Sequence, residues 1–169
     1  MRGGQRHVER RLRDLVRASV VLTGLLIVLG LLLWREETRI AGSVDVLDGD
    51  TLRLADGRPL RLQGIDAPEI DQVCDKPSGT YPCGRAARSA LVRLVSGSSV
   101  VCVLDGSDRY GRLLGRCSVG DEDINASLVA AGWALASGRY HAEEQAARAA
   151  RLGLWQGSFQ RPADWRARH

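Results

Sequence analysis

The sequence predicts an α+β protein that is mainly β: a small closed barrel of five short strands with three packed helices, preceded by one membrane-spanning helix. Three observations carry this. Five short apolar runs, bounded by turn residues, lie between positions 42 and 118. Helical periodicity falls once after the third run and twice after the fifth. Ahead of them, between Arg17 and Arg35, stand 17 uncharged residues from Ala18 to Trp34.

Taken in order, residues 1–17 form a basic tail with six Arg against Glu9 and Asp14. Residues 18–169 carry 18 basic and 18 acidic side chains. The basicity thus belongs to the tail, which argues against the body as a general polyanion-binding surface and leaves room for a local site with a few aimed arginines. As a helix, 18–34 would span about 25 Å, the short end for a hydrocarbon core of about 30 Å. Trp34 and the flanking arginines suit the interface. The rival reading is a cleaved signal peptide, but Trp34-Arg35-Glu36-Glu37 is a poor cleavage context. We therefore expect a single-pass anchor in the inner membrane, with the Arg-rich side cytoplasmic and the body periplasmic; secretion after cleavage is the alternative. Residues 35–40 read as a linker.

In the body, Gly42–Leu47, Thr51–Ala55 and Leu60–Ile65 read as strands, with Asp56-Gly57 as a hairpin turn signal. A two-residue turn would pair Leu52 with Arg61 and mismatch the apolar faces. A three-residue loop at 56–58 pairs Leu52 with Leu62 and Leu54 with Leu60, and burial of one face selects it. Asp66 to Gly84 is a long loop. Arg85–Val95 is a helix, Ser99–Leu104 and Leu113–Ser118 form a second hairpin, and Ile124–Ala136 and His141–Leu152 are further helices. Cys74 and Cys83 bracket a loop, and Cys102 and Cys117 fall in neighbouring strands. An oxidising compartment would pair them locally, as Cys74–Cys83 and Cys102–Cys117; four buried thiols are the alternative.

The chemistry gathers at one end of the first hairpin. Asp48-Gly49-Asp50-Thr51 opens it and Asp66-Ala67-Pro68-Glu69 closes it. In the chosen register Asp50 lies opposite Gly64, with Asp66 two residues beyond. Clustered carboxylates repel unless a cation joins them, and hard oxygen ligands suit Ca²⁺ or Mg²⁺. Arg61 projects from the polar side of its strand, and Arg112 sits in Asp108-Arg109-Tyr110-Gly111-Arg112 at the tip of the second hairpin. Each motif alone reads as a solvated turn or a surface charge. Together, acids that hold a metal and two guanidinium groups meet the needs of phosphoryl chemistry.

These motifs, in this order and spacing, resemble the thermonuclease family, the staphylococcal nuclease-like domains. Asn125, Leu128-Val129, Gly132-Trp133-Ala134 and Gly153-Leu154-Trp155 extend the likeness over residues 41–155, leaving 156–169 as a C-terminal tail. The resemblance implies a five-stranded OB-type barrel and a single Ca²⁺. It implies Asp50, Asp66 and the main-chain carbonyl of Ala67 as metal ligands, where the family has Thr at the third position. It implies Glu69 as general base, Arg61 and Arg112 as phosphate-binding catalytic groups, and Tyr110 and Tyr140 at the nucleotide. The implied activity is endonucleolytic cleavage of DNA and RNA to 3′-phosphates. The partners expected are nucleic acid and, through 18–34, the membrane; no protein partner is expected. The runner-up is an OB-type module that binds nucleic acid or protein without cleaving it.

Overall fold

The structure, a computed structural model, describes residues 15–29 and 37–169. The chain divides into two compact units, Met1–Glu36 and Glu37–His169. In the first, residues 15–29 form a helix, α1, whose side chains are exposed. Among the described residues no helix is long and apolar enough to cross a membrane. The expected span 18–34 runs past residue 29 into residues outside those described, and the tail 1–14 lies outside them too.

The second unit is a mixed α+β fold whose sheet curls as in OB-type domains. Its strands are β1 (Arg39–Gly42), β2 (Val44–Val46), β3 (Thr51–Leu54), β4 (Pro59–Leu62) and β5 (Ile65–Asp66), followed by the small hairpin β6 (Cys74–Lys76) and β7 (Gly79–Tyr81). Helix α2 (Cys83–Val95), strands β8 (Val100–Ser107), β9 (Leu113–Val119) and β10 (Glu122–Asp123), and helix α3 (Ile124–Ala130) come next. Strand β11 (Leu135–Ala136), α4 (His141–Ala149), a 3₁₀ turn at Gly153–Gln156 and α5 (Pro162–Arg166) complete it. The main sheet runs β1-β8-β9-β4-β3-β2, with β10 added on β9. β1 and β2 stand at opposite ends of that order although only Ser43 separates them in sequence, so one bent strand serves both ends. Leu52, Leu60, Leu62, Leu91, Val100, Ile124, Leu128 and Val129 fill the space between the curled sheet and helices α2 and α3.

In place of the five strands and three helices expected, this unit has a seven-stranded main sheet, two small two-stranded sheets and four α-helices; three finer expectations also need correction. The first hairpin pairs Thr51 with Arg61, Leu52 with Leu60 and Arg53 with Pro59, two residues from the expected register. The turn is centred one residue earlier: Leu54 N–H donates to Arg58 O (2.9 Å) and Gly57 N–H to Leu54 O (2.8 Å). Asp56 accepts from the Arg58 backbone N–H and from its Nε, and Gly57 takes φ +86°. A slip of two keeps the same side chains inward, so apolar pattern cannot separate these registers, whereas turn chemistry can. Asp50 therefore lies opposite Leu62, whose N–H donates to its carbonyl at 2.8 Å.

The helix expected at 124–136 stops at Ala130. Gly132 turns the chain at φ +74°, where a Cβ would stand 2.3 Å from Leu152 O. Leu135 and Ala136 then leave the helix to pair with Asp66 and Ile65. The helix expected at 141–152 likewise ends at Ala149. Both disulfides expected from the sequence are present, Cys74–Cys83 and Cys102–Cys117.

Candidate active site

Each acidic or basic group at the site is placed by an identifiable piece of backbone. Asp50 ends the turn before β3. Its N–H is taken by Asp48 Oδ1 (3.0 Å), and its carboxylate accepts from Thr51 Oγ1 (3.1 Å) and from the Ala67 N–H (3.0 Å). Asp66 is fixed from the other side by the pairing of β5 with β11. Arg61, opposite Thr51 on β4, lies between the acids. Its Nη1 donates to Asp50 Oδ1 (2.7 Å) and its Nη2 to Asp66 Oδ1 (2.8 Å). One guanidinium thus joins both acids.

Glu69 is carried by the loop that follows. Its backbone N–H donates to Gln72 Oε1 (3.3 Å), and Gln72, fully buried, offers its own carbonyl to Gly84 N–H (3.2 Å) in the first turn of α2. The Cys74–Cys83 bridge ties the loop to that helix. A methyl on Gly84 would stand 1.7 Å from Glu69 O and 2.9 Å from Ile70 C. We expect Gly84→Ala to push the loop off α2, at a cost of about 1–3 kcal/mol, and to lower activity at least tenfold. Thermal melts and rate measurements check this; an unchanged melt and rate would show that the loop has slack.

Arg112 comes from the tip of the second hairpin. A bulge shifts the β8–β9 register between Leu104 and Ser107, re-aiming the tip. Asp108 Oδ1 accepts the N–H groups of Tyr110 (2.9 Å) and Arg112 (3.0 Å), and its Oδ2 accepts Arg112 Nε (2.8 Å). Tyr110 is 70% exposed, with the Arg109 guanidinium 4.8 Å from its ring centre.

The groups open onto one cleft of about 500 Å³. Of the residues singled out in the sequence, Asp50, Arg61, Ala67, Glu69, Tyr110 and Arg112 line it. So do Asp48, Arg109 and Arg166, to which the sequence reading assigned no role. Asp66 lies behind the guanidiniums, its side chain 16% exposed. Tyr140 is not brought to the cleft. Its hydroxyl donates to Asp123 Oδ2 (2.9 Å), and burial together with that bond pushes it up to about 12. Arg166, from α5, donates Nη1 to Glu69 Oε1 (2.8 Å) and Nη2 to Asp66 Oδ1 (3.0 Å). Asp48 and Arg109 belong to the Asp48–Thr51 and Asp108–Arg112 motifs. Arg166 carried no signal, because nothing in a short arginine-bearing tail tells which side chain folds back.

Asp50 is 4% exposed. Burial raises its carboxyl to about 7, Arg61 opposes that rise, and Asp48 adds to it. A desolvated carboxylate beside a second acid gains from a further cation. Among the described residues, no three His, Cys, Asp or Glu side chains converge as a metal cage. The carboxylates of Asp50 and Asp66, joined by Arg61, are hard oxygen donors of the kind that suits an ion keeping several waters. Four arginines on the cleft suit a polyanion.

A family described as staphylococcal nuclease homologue matches residues 59–157. The chain is 38% identical over 124 residues to "Succinoglycan biosynthesis protein ExoI" of Rhizobium meliloti (strain 1021), covering 69% of this chain and 64% of that one. It is 33% identical over 114 residues to "Probable staphylococcal-like nuclease CAN2" of Oryza sativa subsp. japonica, covering 63% of this chain and 28% of the other. An "Uncharacterized endonuclease" of Escherichia coli O157:H7 is 34% identical over 136 residues, covering 75% and 82%. The match thus spans under two thirds of the first two relatives and most of the third.

Proposed function

This chain belongs to the staphylococcal nuclease homologue family, and from that premise we propose that it is a calcium-dependent endonuclease that hydrolyses phosphodiester bonds of DNA or RNA and leaves 3′-phosphates. The observation that carries the reading is the single Arg61 guanidinium joining Asp50 and Asp66 in a cleft shared with Glu69 and Arg112.

Asp50, Asp66 and the carbonyl of Ala67 are the residues to hold the ion. Bound there, Ca²⁺ supplies Lewis-acid polarisation of the phosphate and neutralises charge. Glu69 takes the proton of the attacking water. Arg61 and Arg112 donate to the equatorial phosphate oxygens as negative charge builds. Tyr110 offers an exposed face on which a base can stack.

Incubating the full chain, in detergent, with DNA and with RNA tests the reading. Cleavage should require Ca²⁺, stop with a chelator and leave 3′-phosphate ends. Equal cleavage under chelator would remove the metal from the mechanism, and tight binding without cleavage would identify a binding module.

We propose further that residues 18–34 anchor the chain in the inner membrane with the catalytic unit outside the cytoplasm. The two disulfides of that unit support an oxidising compartment. Protease added to intact spheroplasts should remove the catalytic unit; full protection would overturn the orientation.

A further inference from the structure

The C-terminal segment is tied to the loop that carries the acids. Buried Gln72 is the link: while its Oε1 accepts the Glu69 N–H, its Nε2 donates to Gln160 O at 2.7 Å. The Phe159 ring meets Trp155 edge-on at 5.0 Å, and Pro162, which opens α5, is buried. From this base α5 delivers the Arg166 guanidinium onto Asp66 and Glu69. Both oxygens of Asp66 then face N–H donors: Oδ1 takes Arg61 Nη2 (2.8 Å) and Arg166 Nη2 (3.0 Å), and Oδ2 takes Arg166 Nη2 (3.3 Å). Asp66 is screened from the cleft by these groups, and Arg166 is the more exposed of the two, at 41% against 19%.

We propose that Arg166 is a resident counter-cation of the acid cluster that a divalent ion must displace, so that the C-terminal segment sets the metal affinity of the site. This deepens the function proposed above and rests on its metal reading. An oxygen lone pair engaged by an N–H is not free to coordinate, and a guanidinium beside a divalent ion repels it. Arg61 is the more buried guanidinium and shares its donors between both acids. The segment bearing Arg166 is anchored through Gln160 and Pro162, while its guanidinium is held only by ion pairs to Asp66 and Glu69, so it can leave Asp66 while α5 stays docked. Its ion pair is partly solvated and therefore weak enough to exchange.

Calorimetric titration of CaCl₂ into the full chain in detergent, without nucleic acid, tests this. Arg166→Gln should bind Ca²⁺ about tenfold more tightly than the parent chain, equivalent to about 1.4 kcal/mol. Arg168→Gln removes the same charge from a side chain that does not touch the acids, and should change affinity less than about twofold because exposed charges at a distance are screened. The melting temperature gives an independent readout: addition of Ca²⁺ should raise it more in Arg166→Gln than in the parent. Equal or weaker Ca²⁺ binding by Arg166→Gln overturns this inference alone. If neither chain takes up Ca²⁺, the metal reading falls and the inference falls with it.

Discussion

Glu69→Gln should lower kcat about 10²–10⁴-fold, the usual worth of a general base, with little change in stability or KM. The expectation rests on how lightly the side chain is involved in the fold. Its carboxylate is 34% exposed and pairs with Arg166 at 2.8 Å. A solvated pair of this kind contributes about 1 kcal/mol at most. The loop is held instead by the Glu69 N–H on Gln72 and by the Cys74–Cys83 bridge, neither of which the substitution touches. Gln keeps the size and can still meet Arg166 through its carbonyl oxygen, but it cannot take a proton. The variant should therefore melt near the parent, bind Ca²⁺ and nucleic acid, and turn over slowly. Parent-like kcat in a folded Glu69→Gln chain would remove Glu69 from proton transfer.

Asp50→Asn should move function and stability in opposite directions. Activity should fall about a hundredfold or more, since even partners of metal ligands are worth 10–100-fold. In chelator at pH 8 the same variant should be more stable than the parent. Asp50 has a folded value of about 7 against 3.8 for the ordinary side chain, with burial as the leading cause. A carboxyl that binds its proton more tightly when folded favours the native state at low pH. As pH rises through 3.8 the unfolded chain ionises first, so stability declines, and the penalty is complete above about pH 7. Asn carries no such penalty and can keep the bond from the Ala67 N–H. The stability difference between Asn and Asp should be near zero at pH 4 and grow to about 2–4 kcal/mol at pH 8. Denaturant melts across that range measure it. A difference that shrinks as pH rises would show that Arg61, not burial, governs this carboxylate.

Most strands of the curled sheet, and the residues that line the cleft from them, are legible in the sequence because both depend on local signals. Short apolar runs mark β3, β4, β8 and β9, and the charged residues of the cleft other than Arg166 stand on those strands or in short motifs beside them. What the sequence hid depends on contacts between distant segments. The end of α3 is decided by the close passage of Gly132 against Leu152 and by the pairing of Leu135 with Asp66, neither visible in a helical periodicity that continues beyond Ala130. The hairpin register turned on Asp56 bonding Arg58, a side-chain choice that the inward-facing leucines do not report. Arg166 reaches Asp66 across 100 positions of chain. Tyr140 lies near the expected place in sequence, yet its φ of +66° and its bond to Asp123 point it away from the cleft.

The bend at Ser43 has a consequence for how these molecules behave when crowded. A sheet that finishes in two separate long strands exposes backbone donors and acceptors to which a neighbouring molecule can add, the usual route to fibrous association. Here the two terminal positions are filled by stretches of four and three residues, Arg39–Gly42 and Val44–Val46, belonging to one continuous run. Little unpaired backbone is left at either flank of this sheet to template another chain, and the exposed Arg39 and Asp45 on those short stretches add charge that discourages such pairing.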